Sequence, residues 1–267
     1  MFAEDEAALL LEATADPRHL DDLVARRVRG EPLEHLLGWV EFAGRRWSVG
    51  PDVFVPRRRT ELMVAAALAL PAPATVLDLC CGCGAVGGAV LLGLRAAGAA
   101  PVLHASDVEP AAVVHARRNL APLGAAVHEG DLLSVVPSVL RGRVDVLLCN
   151  APYVPTDAIA TMPPEARDHE PAVALDGGAD GLDVLRRVVA AAPGWLAPGG
   201  SLLFEVGTDQ VPGATALVKA HGLRAAVVTD EDPDAEDATG GTVVVATLDA
   251  RWSGVRRGAA SPPSRPA

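Results

Sequence analysis

The first stretch of the chain spaces its apolar residues as a helix does. Ala7, Leu10 and Leu11, then Leu20, Leu23 and Val24, recur on one face with Asp16-Pro17 as a break, so one or two helices are expected over 3–29. From Trp39 the period drops to two: 39–47 and 49–55 alternate around Gly44 and Gly50-Pro51, which predicts a hairpin. A helix is expected over 60–70, N-capped by Thr60 and ended by Pro71-Ala72-Pro73. Thereafter strand and helix patterns alternate. Strands are expected at 74–79, 102–106, 126–129, 144–149, 201–206, 225–229 and 242–248, and helices at 85–97, 110–120, 182–192 and 214–221. This alternation predicts an α/β fold, a mostly parallel sheet with helices on both faces and right-handed crossovers. An acidic loop is expected over 230–237, and the Pro-, Ser- and Arg-rich stretch 254–267 lacks apolar anchors and is expected to be disordered.

Composition adds limits to this picture. At 267 residues, half of them hydrophobic, the chain can build one large core and a small appendage. Aromatic residues are only 3%, so that core must be made of Ala, Val and Leu. A net charge of −11 argues against an unaided grip on nucleic acid, which needs a basic face. Arg57-Arg58-Arg59 is a local basic patch whose default reading is a solvated face, the other being service to a site or partner. The start, Met1-Phe2-Ala3-Glu4-Asp5-Glu6, is acidic where a secretory signal is basic, and Gly, Arg or Pro breaks every apolar run short of membrane-spanning length. Cys80, Cys81, Cys83 and Cys149 are clustered rather than spread as a stapling framework. A cytoplasmic chain without a membrane partner is expected. No metal site is expected either, because Cys-Cys-x-Cys is cramped for tetrahedral ligation.

Two stretches carry chemistry. The first is Asp78-Leu79-Cys80-Cys81-Gly82-Cys83-Gly84, which leaves a strand and opens a helix at Ala85. Gly82 and Gly84 permit positive φ and close approach of a ligand, although a tight strand–helix turn needs glycine for packing in any case. Asp107 ends the next strand, where a carboxylate can bind both ribose hydroxyls or, alternatively, cap the helix at Pro110. Asp131, after the third strand, is placed to accept from an adenine amino group or to N-cap the next helix. Ribose contact without a dinucleotide fingerprint favours S-adenosylmethionine over a nicotinamide cofactor.

The second stretch, Asn150-Ala151-Pro152-Tyr153, ends a buried strand and holds the only tyrosine of the chain. The Asn150 amide oxygen and the Ala151 carbonyl, the latter held by Pro152, form a pair of acceptors for the two N–H bonds of a primary amide or amine. Positioning of this kind lowers the barrier to attack on an activated methyl group, and Tyr153 would stack on the target or wall it from water. The competing reading is an ordinary strand-terminating turn.

With both stretches in view the chain resembles the HemK/PrmC family of protein-glutamine methyltransferases. The likeness runs from about Gly30 to Leu248 and includes Gly30-Glu31-Pro32-Leu33-Glu34-His35-Leu36-Leu37-Gly38 and Val55-Pro56-Arg57-Arg58-Arg59-Thr60-Glu61. It continues through the stretch from Asp78 to Gly84, then Asp107, Asn150-Ala151-Pro152-Tyr153 and Glu170-Pro171-Ala172-Val173-Ala174-Leu175-Asp176-Gly177-Gly178-Ala179-Asp180-Gly181-Leu182. The resemblance implies a class I S-adenosylmethionine-dependent methyltransferase, with a Rossmann-like, seven-stranded, mostly parallel sheet over 56–250. A small N-terminal helical domain with a β-hairpin (1–55) would precede it, and a tail (251–267) would follow. It implies a protein substrate, a glutamine in the Gly-Gly-Gln loop of a peptide chain release factor, and S-adenosyl-L-homocysteine as by-product. The cofactor would meet Asp78, Cys80, Gly82, Gly84, Asp107, Asp131 and Asn150. The substrate would meet Asn150, Pro152, Tyr153 and Glu170, and the catalytic run would be Asn150, Ala151, Pro152 and Tyr153. Glu170 has a second reading, as a tether of the loop after Tyr153. Three features depart from the family: Ala151 replaces a proline, Cys80 replaces the first glycine of the cofactor loop, and the segment before Pro56 is shorter. Methylation of an exocyclic amine of a DNA or RNA base is the alternative function.

Overall fold

A computed structural model describes residues 3–71, 73–230 and 240–250. The expected tail, and all of the expected acidic loop but Asp230, lie outside these residues. The N-terminal pattern resolves into α1 (Ala3–Ala13), α2 (Pro17–Val28) and α3 (Leu33–Leu37). Asp16 caps α2 by accepting from the Arg18 N–H at 3.0 Å, and Pro17 takes the first helical position, where a missing N–H costs nothing. Leu10, Leu23 and Leu33 form a small apolar cluster of their own.

The hairpin is shorter than its alternation suggested. Its arms are β1 (Trp39–Phe42) and β2 (Arg45–Ser48), and the expected second arm at 49–55 is irregular chain. Val49, Val53 and Val55 are nonetheless buried, so the period of two reflected burial and not sheet pairing. Trp47 is 1% exposed and packs against Gly88, where an added Cβ would lie 2.4 Å from its ring. By packing, the hairpin therefore joins the large core rather than the Leu10 cluster. Helix α4 (Glu61–Leu68) follows a short turn at Arg58–Thr60. Thr60 does not cap it: its hydroxyl donates to Glu205 at 2.6 Å, a partner 145 residues away.

The remaining elements are β3 (Thr75–Leu79), α5 (Ala85–Ala96), β4 (Val102–Asp107), α6 (Pro110–Leu120), β5 (Ala126–Glu129), β6 (Val144–Cys149), α7 (Pro164–His169), α8 (Ala172–Leu175), α9 (Asp183–Ala191), β7 (Leu196–Glu205), α10 (Val211–Ala220), β8 (Arg224–Thr229) and β9 (Thr242–Thr247). Among the described residues seven strands form one sheet in the order β5-β4-β3-β6-β7-β9-β8, and β9 alone runs opposite to the other six. Buried runs such as Val146 to Cys149 are apolar on both faces because each face is covered, and two large clusters, one on each side, fill the space. From β3 the strand order proceeds toward β4 on one side and β6 on the other. That reversal opens a crevice beyond their carboxyl ends, where an open α/β sheet takes its ligands. Among the described residues no helix is long and apolar enough to cross a membrane.

Candidate active site

The crevice is a cavity of about 280 Å³. Asp78, Cys80, Gly82, Asp107, Asp131, Asn150, Ala151, Pro152 and Tyr153 line it together, so the two chemistry-bearing stretches share one space. Gly84 and Glu170 are placed elsewhere. Gly84, at φ +81°, stands against α6, where a Cβ would meet Leu120 at 2.7 Å; it lets α5 pack closely.

On the first side, Asp78 is 1% exposed and accepts from the Gly87 N–H at 2.9 Å. Burial without a cation pushes its carboxyl up to about 7. Asp107 binds the loop and the following turn at once: one oxygen accepts from Gly82 N–H at 2.8 Å and the other from Glu109 N–H at 3.0 Å. Burial raises its pKa as well, with those N–H groups opposing the shift. Each oxygen keeps a lone pair for a further donor. Cys80 adopts φ +52°, the left-handed conformation that glycine takes without penalty. The loop thus keeps a glycine-like path although it carries a thiol there. A hydrogen bond with Cys149, added to burial, raises the Cys80 thiol above its ordinary range. Asp131 does not N-cap with its side chain; its carboxylate pairs with Arg187 from α9, and both line the cavity.

On the second side, Asn150 follows β6, and its Oδ1 is buried with no hydrogen-bond partner. A buried acceptor without a donor costs about 1–3 kcal/mol, so its presence in a cavity wall calls for a ligand that donates. Among the described hydrogen bonds none ends on the Ala151 carbonyl either. Tyr153 sits beside them, held through its hydroxyl, which donates to Glu205 at 2.7 Å and accepts from Arg59 at 2.8 Å. Burial, and next the Glu205 charge, push its phenol well above the ordinary range, so it stays protonated.

Arg57 and Arg59 are not a solvated charge run. Arg57 donates to both oxygens of Glu170 at 2.7 Å, and Glu170 also accepts from Val55 N–H at 3.2 Å. Burial raises the Glu170 carboxyl, with Arg57 opposing it. With a side chain 1% exposed, Glu170 stands outside the cavity lining and ties the segment after Tyr153 to Arg57 and Val55. That segment folds over the cavity as α7, α8 and a short turn over Thr156–Thr161, bringing Met162, Pro171, Val173 and Leu175 to the wall. Sequence reading missed these helices, being short and poorly periodic, and it missed Glu205 and Gln210. The only signal for Glu205 was a carboxylate closing a run of apolar strand residues, where a charge needs a partner.

Comparison with known proteins places the chain among methyltransferases. Residues 58–163 match the model of the methyltransferase small domain. The chain is 41% identical to a release factor glutamine methyltransferase of Cereibacter sphaeroides, over 78% of this chain and 74% of that protein. It is 38% identical to a 4-amino-L-phenylalanine/4-methylamino-L-phenylalanine methyltransferase of Streptomyces pristinaespiralis, over 74% of this chain and 69% of that one. In fold it resembles a methyltransferase from Pyrococcus furiosus, with a TM-score of 0.55 at 14% identity, over 86% of this chain and 99% of that one.

Proposed function

The chain belongs to the family of release factor glutamine methyltransferases, and from that premise we propose that it methylates the side-chain amide nitrogen of a protein glutamine with S-adenosylmethionine. One observation carries the reading. The unpartnered Asn150 Oδ1 and the Ala151 carbonyl stand in the same cavity as the loop over 80–84 and Asp107. A glutamine carboxamide brings two N–H donors to two acceptors that lack one.

The residues fit the donor group. Asp107 has lone pairs left for ribose hydroxyls, and Asp131, held by Arg187 in the cavity lining, would take the base amine. When bound, S-adenosylmethionine supplies a methyl group on a sulfonium, and its loss leaves S-adenosyl-L-homocysteine. What the chain contributes is orientation. Asn150 and Ala151 hold the amide nitrogen by its hydrogens, and acceptors so placed favour the nitrogen most as its lone pair leaves conjugation, which is transition-state stabilisation. Tyr153, kept protonated, is no base. None is needed, because the nitrogen's proton becomes acidic once the new bond to carbon forms and can then pass to water. Met162, Val173 and Leu175 supply an apolar part of the cavity wall beside these acceptors.

The test uses labelled S-adenosylmethionine with a release factor bearing Gly-Gly-Gln, and with 4-amino-L-phenylalanine and duplex DNA as competing acceptors. Label is expected on the glutamine nitrogen; label on the arylamine or on a base would replace the reading. Asn150→Ala is expected to abolish transfer and leave cofactor affinity within about threefold; loss of affinity with transfer retained would refute the division of roles.

A further inference from the structure

We propose that Glu205 and Gln210 are positioning residues for methyl transfer, gripping Tyr153 by its two ends and so setting Asn150 and the Ala151 carbonyl at the cavity. The inference rests on the reading of Asn150 to Tyr153 as the transfer site. Neither residue lines the cavity.

Glu205 is the last residue of β7 and is 2% exposed. Its carboxylate accepts three bonds: from Tyr153 Oη at 2.7 Å, Arg59 Nε at 2.9 Å and Thr60 Oγ1 at 2.6 Å. A buried carboxylate so supplied is fixed in place, and it fixes the phenol in turn. Gln210 follows within the same β7–α10 connection and takes the other end. Its Nε2 donates to the Tyr153 carbonyl at 2.8 Å and to the Asp180 carbonyl at 2.9 Å, while its Oε1 accepts from Gly207 N–H at 2.8 Å. The amide has one orientation only, since turning it over would face an oxygen with two carbonyls.

Such a grip answers a need specific to this chain. Residues 150–153 belong to no regular element, and only Pro152 among them has a fixed φ; Ala151, unlike a proline, leaves its own φ free. Irregular backbone at a transfer site must be held to a fraction of an ångström, because a 1 Å displacement costs roughly a hundredfold in rate. Tyr153 is the one residue of the run tied to other elements at both its side-chain hydroxyl and its main-chain carbonyl.

Tyr153 is the only tyrosine in the chain, so its ionisation can be followed by near-ultraviolet absorbance without assignment. In the wild type the phenol is expected to resist ionisation well beyond its ordinary pKa of about 10. Glu205→Gln keeps the shape, removes the negative charge and leaves Arg59, so the phenol should ionise at a clearly lower pH than in the wild type, while burial still holds it up. The same variant is expected to lower kcat between about tenfold and a hundredfold, with cofactor affinity changed by less than about twofold. In a Tyr153→Phe background Glu205→Gln should cost little more, because the bond it acts through is already gone. Gln210→Glu, which sets an acceptor against two carbonyls, should reduce kcat similarly without moving the phenol far. An unchanged phenol titration, an unchanged kcat, or losses that multiply in the double variant would overturn the proposal. If Glu205→Gln does not fold, Tyr153→Phe and Gln210→Glu decide it, and wild-type kcat in either sinks it. The titration needs no substrate, and kcat is read on whichever acceptor the wild type methylates, so failure of the glutamine reading leaves this test standing.

Discussion

The loop over 80–84 and the run over 150–153 leave adjacent strands of one sheet, yet they are held by different means. The first is held from nearby by backbone. Asp78 and Asp107 take main-chain N–H groups from Gly87, Gly82 and Glu109, 9, 25 and 2 residues away, with no cation in contact. The second is held from a distance by side chains. Glu205 joins Tyr153 to Arg59 and Thr60 across 146 and 145 residues of sequence, and Glu170 joins Arg57 across 113. Asp78 and Asp107 are left without an ionic partner, so their carboxyls are raised and their lone pairs stay available to a ligand. On the second side the acids are consumed in ion pairs, and the acceptors left free are neutral ones, an amide and a carbonyl. A polar donor group such as a ribose suits the first arrangement, and a neutral carboxamide suits the second.

The comparison can be broken most severely at Gly181, at φ +76°, where a Cβ would lie 2.1 Å from the Tyr153 oxygen and 2.2 Å from Gln210 Nε2. Backbone cannot yield as a side-chain tip can. Gly181→Ala should therefore cost about 4 kcal/mol by urea unfolding and reduce transfer roughly a hundredfold, while cofactor affinity, which the proposed function assigns to the other side, should change little. Equal loss of both would mean that the two sides are one mechanical unit.

Glu170→Ala leaves Arg57 facing a cavity and should destabilise by about 3 kcal/mol, the lower end for a broken buried pair because Arg57 still reaches water. It should raise KM for the acceptor more than for the donor. The reverse order would place Glu170 on the wrong side of the comparison.

Asp78 tests the first side through pH. Its folded pKa, about 7, stands above the ordinary carboxylate value, so the unfolded chain releases this proton first as pH rises. The folded state then holds more protons than the unfolded, and stability falls with rising pH between about 4 and 7, by on the order of 1.4 kcal/mol per unit, before levelling off. Asp78→Asn keeps an oxygen for Gly87 N–H and should remove most of that slope, leaving what Asp107 contributes with the same sign. Thermal unfolding at pH 5 and pH 8 reads it, and an identical slope in the variant would show that Asp78 is ionised in the fold. The smallest effect is expected at Cys80. Cys80→Gly relieves a left-handed residue at some entropic cost and should stabilise by less than about 1 kcal/mol, with cofactor affinity within about twofold.

Reading the chain ahead of its fold succeeded where the cause was local or periodic. Helix α6 and strands β5 and β6 have the bounds that their apolar spacing predicted, and Asp16-Pro17 ends one helix and starts the next. It failed where tertiary contact overrode a local preference. Thr60 looked like a cap and is instead bonded to Glu205; the period of two in 49–55 marked burial without pairing; α7 and α8 are too short to show a period. The arginines read as a surface patch because their partners, Glu170 and Glu205, lie more than a hundred residues away.

Sequence alone determined the alternation of elements and the types of residue at the strand ends, since hydrophobic period and turn chemistry act over a few residues. It therefore marked Asp107 and the Asn150 run as the places where chemistry would stand. Only the tertiary structure decided which acceptors remain unpartnered and which carboxylates are spent on arginines. Those outcomes depend on burial and on distances between chain segments that no local pattern encodes.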